Sequence, residues 1–189
     1  MNQIVIDLET QRSFDEVGGR QNLTGLGVSL AGTYCYASGQ YQAFEEAELP
    51  KLEELLSRTE RVIGFNIRRF DFPVLQPYCK NLRLSELPIF DILEEIEKRV
   101  GHRVSLNSVS QATLGEGKSG SGLDALVYFR DGEMEKLKKY CLDDVRLTKE
   151  IYEFGKRFGK IWFTAREGGK REVAVDWHDP QPSANLSLF

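Results

Sequence analysis

The chain has 189 residues, 41% hydrophobic and 29% charged, which suits one compact domain with a real core and room for a small appendage. No apolar run approaches the roughly 18 to 20 residues of a membrane span, and Met1-Asn2-Gln3 leads straight into strand-forming residues, not a basic-then-apolar leader, so a cytoplasmic location is expected. The formal net charge of -4 does not advertise a nucleic-acid binder, and Cys35, Cys79 and Cys141, scattered without a C-x-x-C, read as reduced packing residues, not a zinc or disulfide framework.

The first element is a strand, Ile4-Val5-Ile6-Asp7-Leu8-Glu9-Thr10. Three β-prone aliphatics run into an acid, a leucine and a second acid, the look of a buried strand whose end opens into a site. Side chains alternate along a strand, so Asp7 and Glu9 share one face while Leu8 enters the opposite layer. Like charges that close repel unless a cation lies between them, and the ligand such a pair suits is a hard divalent metal, Mg²⁺ or Mn²⁺. Taken alone, D-x-E at a strand end is more often a solvated rim or a turn.

A polar loop from Gln11 to Gly25 follows, too long for a hairpin turn and placed at the mouth of the site. Leu26 to Leu30 alternates as a strand, Gly32-Thr33 reads as the turn, and Tyr34-Cys35-Tyr36 as the returning strand. Leu49, Leu52, Leu55 and Leu56 make a helical stripe over Glu45 to Arg58, with Pro50 acceptable in its first turn. Arg61 to Phe65 is a short buried strand, and a helix with Pro73 in its first turn runs from near Phe70 to about Tyr78. Leu87 to Asp91 is another short strand, and Ile92 to Val100 a helix closed by Gly101. Asp91 is open to a reading as a further catalytic carboxylate, but its place before a helix favours an N-cap.

Ser105 to Leu114 reads as a short helix, then Gly115 to Gly122 as a glycine-rich segment. It lacks the G-x-x-x-x-G-K-[ST] order of a phosphate-binding loop and is expected to be a mobile loop on the substrate side. The longest helical pattern runs from Glu133 to Phe158. Within it Tyr140 and Asp144, four apart, stack on one face, with Asp143 on the neighbouring flank as a solvated or outer group. Ile161 to Ala165 and Arg171 to Val175, joined around Gly168-Gly169, form a hairpin, and the chain beyond Trp177 has a linker composition. The order of elements gives an α/β layer with a mixed sheet. The basic clusters at Arg68-Arg69, Lys98-Arg99 with His102-Arg103, Lys136 with Lys138-Lys139, and Lys156-Arg157 with Lys160 read as solvated helix faces.

Asp7-x-Glu9, then Asn66-x-x-x-Phe70-Asp71, then Tyr140-x-x-x-Asp144 resemble, in order and spacing, the three exonuclease motifs of the DEDDy branch of the DnaQ-like superfamily. That branch includes proofreading domains of DNA polymerases, ribonuclease D and the Werner-type exonuclease domain. The resemblance covers roughly residues 3 to 155 and implies a ribonuclease-H-like three-layer domain, a central mixed β-sheet flanked by helices, over 1–158. A C-terminal β-hairpin extension (159–177) and a flexible tail (178–189) would follow. It further implies 3′–5′ hydrolysis of phosphodiester bonds, releasing nucleoside monophosphates, with two divalent ions, Mg²⁺ or Mn²⁺, held by Asp7, Glu9, Asp71 and Asp144. Tyr140 would orient the attacking water, Asn66 and Phe70 would shape the floor of the site, and Leu8 and Thr10 would meet the terminal nucleotide.

The last residues, Asn185-Leu186-Ser187-Leu188-Phe189, resemble the bacterial sliding-clamp-binding motif, with Asn in place of Gln. The resemblance implies a clamp partner and favours DNA, hydrolysed from single-stranded or frayed ends in repair or replication, over RNA. The motifs themselves do not tell deoxyribose from ribose, so an exoribonuclease or oligoribonuclease is the alternative within enzymes. A catalytically inactive nucleic-acid- or clamp-binding module is the alternative of another class, and it leaves the four retained acids without a purpose.

Overall fold

A computed structural model describes residues 2–179. Strand β1 (Gln3–Thr10) forms the centre of a five-stranded sheet ordered β3-β2-β1-β4-β5, with β2 (Val28–Cys35), β3 (Gln40–Glu45), β4 (Arg61–Gly64) and β5 (Ile89–Asp91). Strands β1 to β3 pair antiparallel, whereas β4 and β5 join in parallel, so the sheet is mixed. The alternation of β1 divides the core. Ile4, Ile6 and Leu8 enter a layer with Leu49, Leu52 and Leu56 of α1 (Leu49–Ser57) and Phe72, Val74 and Leu75 of α2 (Asp71–Leu75). Val5 faces the other layer, with Ile92 and Ile96 of α3 (Ile92–Val100), Val109 of α4 (Leu106–Leu114) and Val145 and Ile151 of α6 (Met134–Phe158). Each fully buried aliphatic side chain contributes roughly 1.5 to 3 kcal/mol of transfer free energy, so both faces of β1 anchor the three-layer architecture.

The second strand departs from expectation. Gly32-Thr33 is not a turn: β2 runs unbroken to Cys35, and the chain reverses through Ala37 to Gly39. Gly32 stands opposite Asp7 in the β1–β2 ladder, and a Cβ there would lie 2.8 Å from Cys141 Sγ and 3.1 Å from Val145 Cγ2. The glycine is where α6 approaches the sheet, so its missing side chain serves packing instead of turning. A second departure is α5 (Gly122–Arg130), a helix in a stretch to which the sequence pattern assigned no element. Ser121 and Asp124 form a capping box at its start, and Ala125 packs with Leu30, Leu137, Tyr140 and Cys141.

The C-terminal hairpin of β6 (Lys160–Thr164) and β7 (Lys170–Ala174) is present as expected and shares a core with α3, α4 and α6. Its exposed edge is satisfied by α4: Ser108 Oγ donates to Thr164 O at 2.9 Å, and Thr113 Oγ1 donates to Trp162 O at 2.8 Å. Trp177 then lies over Gly155 of α6, where a Cβ would come within 2.3 Å of two ring carbons. The three cysteines are buried and free, as read from the sequence. Arg68 and Arg69 are exposed but lie in the turn before α2, not on a helix face as expected, and they pair with Glu94 and Glu97 of α3. Among the described residues no helix is long and apolar enough to cross a membrane.

Candidate active site

Three elements bring the sequence-identified acids to one end of β1. Asp7 and Glu9 lie on its α6 face, the side opposite Leu8. Strand β4 pairs only with Gln3 to Val5, so β1 runs past it, and the Leu8 N–H donates at 3.1 Å to Asp71 Oδ1. Asp71 opens α2 from the far side of the β4 connection, and this bond returns its carboxylate to the sheet. On α6, Tyr140 and Asp144 occupy one buried face one turn apart, with Cys141 between them against the Asp7 carbonyl.

Asp7, Leu8, Glu9, Thr10, Asn66, Phe70, Asp71, Tyr140 and Asp144 all line a single cavity of about 400 Å³. Apolar side chains of Phe14, Leu26, Phe65, Leu123 and Leu126 also line it. Phe14 meets Phe70 edge to face at 6.0 Å, and the Arg20 guanidinium lies 4.8 Å from the Phe14 ring. Asn66 is the one non-glycine residue with positive φ among those described, at 71°, a conformation asparagine tolerates. Its Oδ1 accepts from Arg103 at 2.6 Å and its N–H donates to Asp91 Oδ1 at 2.8 Å. Asp91 also caps α3 through the N–H groups of Leu93 and Glu94 and accepts from the Arg68 N–H, so it is the structural residue its sequence position suggested. Asp143 pairs with Arg146 at 2.8 Å and stays out of the cavity lining.

The electrostatics are those of an under-neutralised cluster. Burial, then Asp144, Asp71 and Glu9, raise the Asp7 carboxyl well above its usual range. Burial and Asp144 push Glu9 up to about 8, and burial, reinforced by Asp91, pushes Asp71 up to about 7. Asp144 is likewise raised by burial, with Lys118 opposing. Burial and Asp144 drive the Tyr140 phenol above its ordinary value, so it stays protonated at neutral pH. Burial first, then Asp7, hold the Cys141 thiol neutral.

The residues fit a divalent cation. Carboxylate oxygens of Asp7 and Glu9 and the Cys141 sulfur lie within 4.8 Å of one another. Asp144 Oδ1 and Tyr140 Oη are buried without a well-aligned hydrogen-bond partner, so acceptor capacity is left over where the acids converge. A hard cation selects the oxygens over the neutral thiol.

Sequence reasoning missed Lys118. From the connection between α4 and α5 its ammonium enters the cavity, ion-pairs with Asp144, and lies 5.2 Å from the Tyr140 ring centroid. Burial alone would lower its pKa, but Asp144 and Asp7 more than reverse this, and the side chain is held charged. The one local signal was a lysine within a glycine-rich stretch, which does not say where its ammonium goes. Leu123 was missed for a related reason: the helix that carries it was not foreseen. The tail residues Asn185 to Phe189 lie outside the described residues.

A family model described as the RNase H superfamily matches residues 4–154. Among solved structures, a zinc-bound crystal structure of E. coli ExoI in complex with ssDNA is similar, with TM-score 0.50 and 11% identity. The match covers 83% of this chain and 41% of the ExoI chain, so this chain spans less than half of that protein's length. No curated protein matches the sequence significantly.

Proposed function

The chain belongs to the RNase H superfamily, and we propose that within it the chain is a DEDDy-type, metal-dependent 3′–5′ exonuclease that removes nucleotides from DNA ends. One observation carries this reading: four carboxylates from β1, α2 and α6 meet in one cavity beside a buried, protonated tyrosine. Such a set is costly to keep unless cations share it.

In this proposal Asp7, Glu9, Asp71 and Asp144 hold two divalent ions, Mg²⁺ or Mn²⁺. The chemistry those ions supply when bound is activation of the attacking water and neutralisation of charge on the phosphate. The remaining tasks fall to the chain itself. Tyr140, neutral at working pH, is suited to orienting a water through its hydroxyl and unsuited to abstracting a proton. Phe70, with Phe14 and Phe65, gives a terminal nucleoside apolar surface to stack on, while the Leu8 backbone, Thr10 and Asn66 offer polar groups in the same cavity. The cavity is of nucleotide size, which favours cleavage of terminal residues over internal ones.

The preference for DNA rests on the tail. Asn185 to Phe189 would dock on a sliding clamp and raise the local concentration of the enzyme at DNA. Deleting Leu186 to Phe189 should abolish clamp pull-down and leave hydrolysis of free oligonucleotides unchanged; retained binding would end the clamp proposal. The central test compares 3′-labelled and 5′-labelled DNA and RNA oligonucleotides with Mg²⁺, Mn²⁺ or EDTA. Stepwise shortening of 5′-labelled DNA, lost in EDTA, is the expected result. Shortening of RNA alone would replace the substrate, and no shortening of either polymer would overturn the enzyme reading.

A further inference from the structure

The acid cluster already contains a cation of its own. Lys118 is contributed by the seven-residue connection 115–121, in which Gly115, Gly117 and Gly120 leave the backbone few side-chain constraints. Its own N–H is nevertheless fixed, donating at 2.8 Å to Asn107 Oδ1 of α4, and Ser121 N–H is fixed at 2.7 Å to Asp124 Oδ2 in the α5 cap. The backbone is therefore pinned on both sides of the lysine while the side chain reaches inward, 23% exposed.

The groups facing that ammonium come from every element around it: Asp7 and Glu9 of β1, Asp71 of α2, and Tyr140 and Asp144 of α6. All the charged ones among them are acids. One positive charge against four carboxylates leaves the cluster short of neutral, and two divalent ions would neutralise the acids without help. Lys118 and the ions then need the same oxygens, those of Asp144 above all. An ammonium and a divalent cation on one carboxylate repel each other strongly in a buried site.

We propose that Lys118 is an internal counter-ion that occupies the acid cage in the metal-free protein and is expelled toward the cavity mouth when divalent metal enters. This rests on the metal-site reading above and adds a device to it. The pinned backbone keeps the displaced side chain at the rim, beside Ser121 and Leu123. The lysine holds the apo cage together, and metal affinity is lowered by the work of displacing it.

Two measurements test the exchange. Lys118→Met should bind Mn²⁺ at least about tenfold more tightly than the unaltered chain by isothermal titration calorimetry, and should melt at lower temperature in EDTA at pH 8. Independently of whether that variant folds, mass-spectrometric footprinting of the unaltered chain with an amine-acylating reagent should show Lys118 protected in EDTA and reactive in Mn²⁺. Surface lysines such as Lys80 and Lys170 serve as references. Unchanged or weaker Mn²⁺ affinity in Lys118→Met, or equal Lys118 acylation with and without Mn²⁺, overturns the proposal. If the unaltered chain binds Mn²⁺ and shortens DNA while Lys118 fails these tests, only the exchange is wrong. If it binds no Mn²⁺ at all, the metal-site reading fails with it.

Discussion

Asp71 and Asp91 hold equivalent places in the fold and do opposite things. Each stands at the junction between a parallel strand and the helix that follows it, and each is 3% exposed. Asp91 spends its oxygens on the backbone, accepting from the N–H groups of Asn66, Arg68, Leu93 and Glu94 at 2.8 to 3.4 Å. Asp71 takes one bond from across the sheet, Leu8 N–H, and otherwise faces the cavity that Asp7, Glu9 and Asp144 share. Burial of an acid therefore does not mark a chemical site. Acceptor capacity left over, pointed at other acids, does.

The sharpest way to break this contrast is to remove one acid from each set. Asp7→Ala should lower the rate of oligonucleotide shortening by about 10³-fold or more, because the cage loses its central member. In EDTA the same variant should melt no lower than the parent, since a buried carboxylate raised by its neighbours has been relieved. Asp91→Ala should do the reverse. Four backbone donors lose their acceptor, which costs about 2 to 4 kcal/mol of stability by chemical denaturation, and the fraction that remains folded should still bind Mn²⁺. A stable Asp91→Ala protein without metal binding would erase the distinction.

The next effect is one of pH. Folding raises Glu9 to about 8 and Asp71 to about 7, so between the ordinary carboxylate range and pH 8 the folded metal-free protein binds more protons than the unfolded chain. Stability from these groups is complete below about pH 4 and is lost as pH rises through about 8. The melting temperature in EDTA should therefore fall by more than about 5 °C from pH 5 to pH 8. Saturating Mn²⁺ should flatten or invert that slope, and titrations in buffers of different ionisation enthalpy should show proton release on binding. A metal-free melting temperature that rises over this interval would contradict the raised carboxyls.

Much of this was legible in the sequence, for identifiable reasons. The alternation of Ile4 to Thr10 assigned Asp7 and Glu9 to one face, and the four-residue spacing of Tyr140 and Asp144 stacked them on α6; both follow from local periodicity, and both occur in the structure. The cap role of Asp91 was legible because it depends on residues next to it. What was hidden depends on partners distant in the chain. Gly32 looks like a turn residue until α6 arrives, more than a hundred residues later, to occupy the space of its side chain. Helix α5 has a weakly amphipathic sequence in which Leu123 and Val127 stay 71% and 50% exposed, so its periodicity did not announce a buried face. Lys118 sits in a stretch whose glycines suggested only mobility, and nothing local says that its ammonium reaches Asp144.

Gly32 makes the contrast testable through packing. Gly32→Ala inserts a Cβ 2.8 Å from Cys141 Sγ, forcing α6 outward and Asp144 away from Asp7. Overpacking of this kind typically costs about 1 to 3 kcal/mol, and here activity should fall by more than the stability loss explains. Gly155→Ala strikes the same helix at its far end, where the added Cβ meets the Trp177 ring. It should lower stability by a comparable amount while the folded enzyme keeps its turnover. Equal losses of activity in the two variants would mean that α6 does not position Asp144 independently of the hairpin.

The smallest expected effect is at Asn66, which belongs to both sides of the contrast: its N–H is one of the donors to Asp91, and its side chain lines the cavity with its Oδ1 held by Arg103. With φ at 71°, its backbone is one that glycine adopts freely and alanine resists. Asn66→Gly keeps the conformation and the bond to Asp91 while deleting the polar group, so its stability should change by less than about 1 kcal/mol and its KM for oligonucleotides should rise a few fold. Asn66→Ala removes the same group and adds strain of about 1 to 2 kcal/mol. The two variants should therefore share a KM and differ in melting temperature. If they share a melting temperature and differ in KM, the side chain acts through the backbone it sits on, and Asn66 belongs with Asp91 in the scaffold.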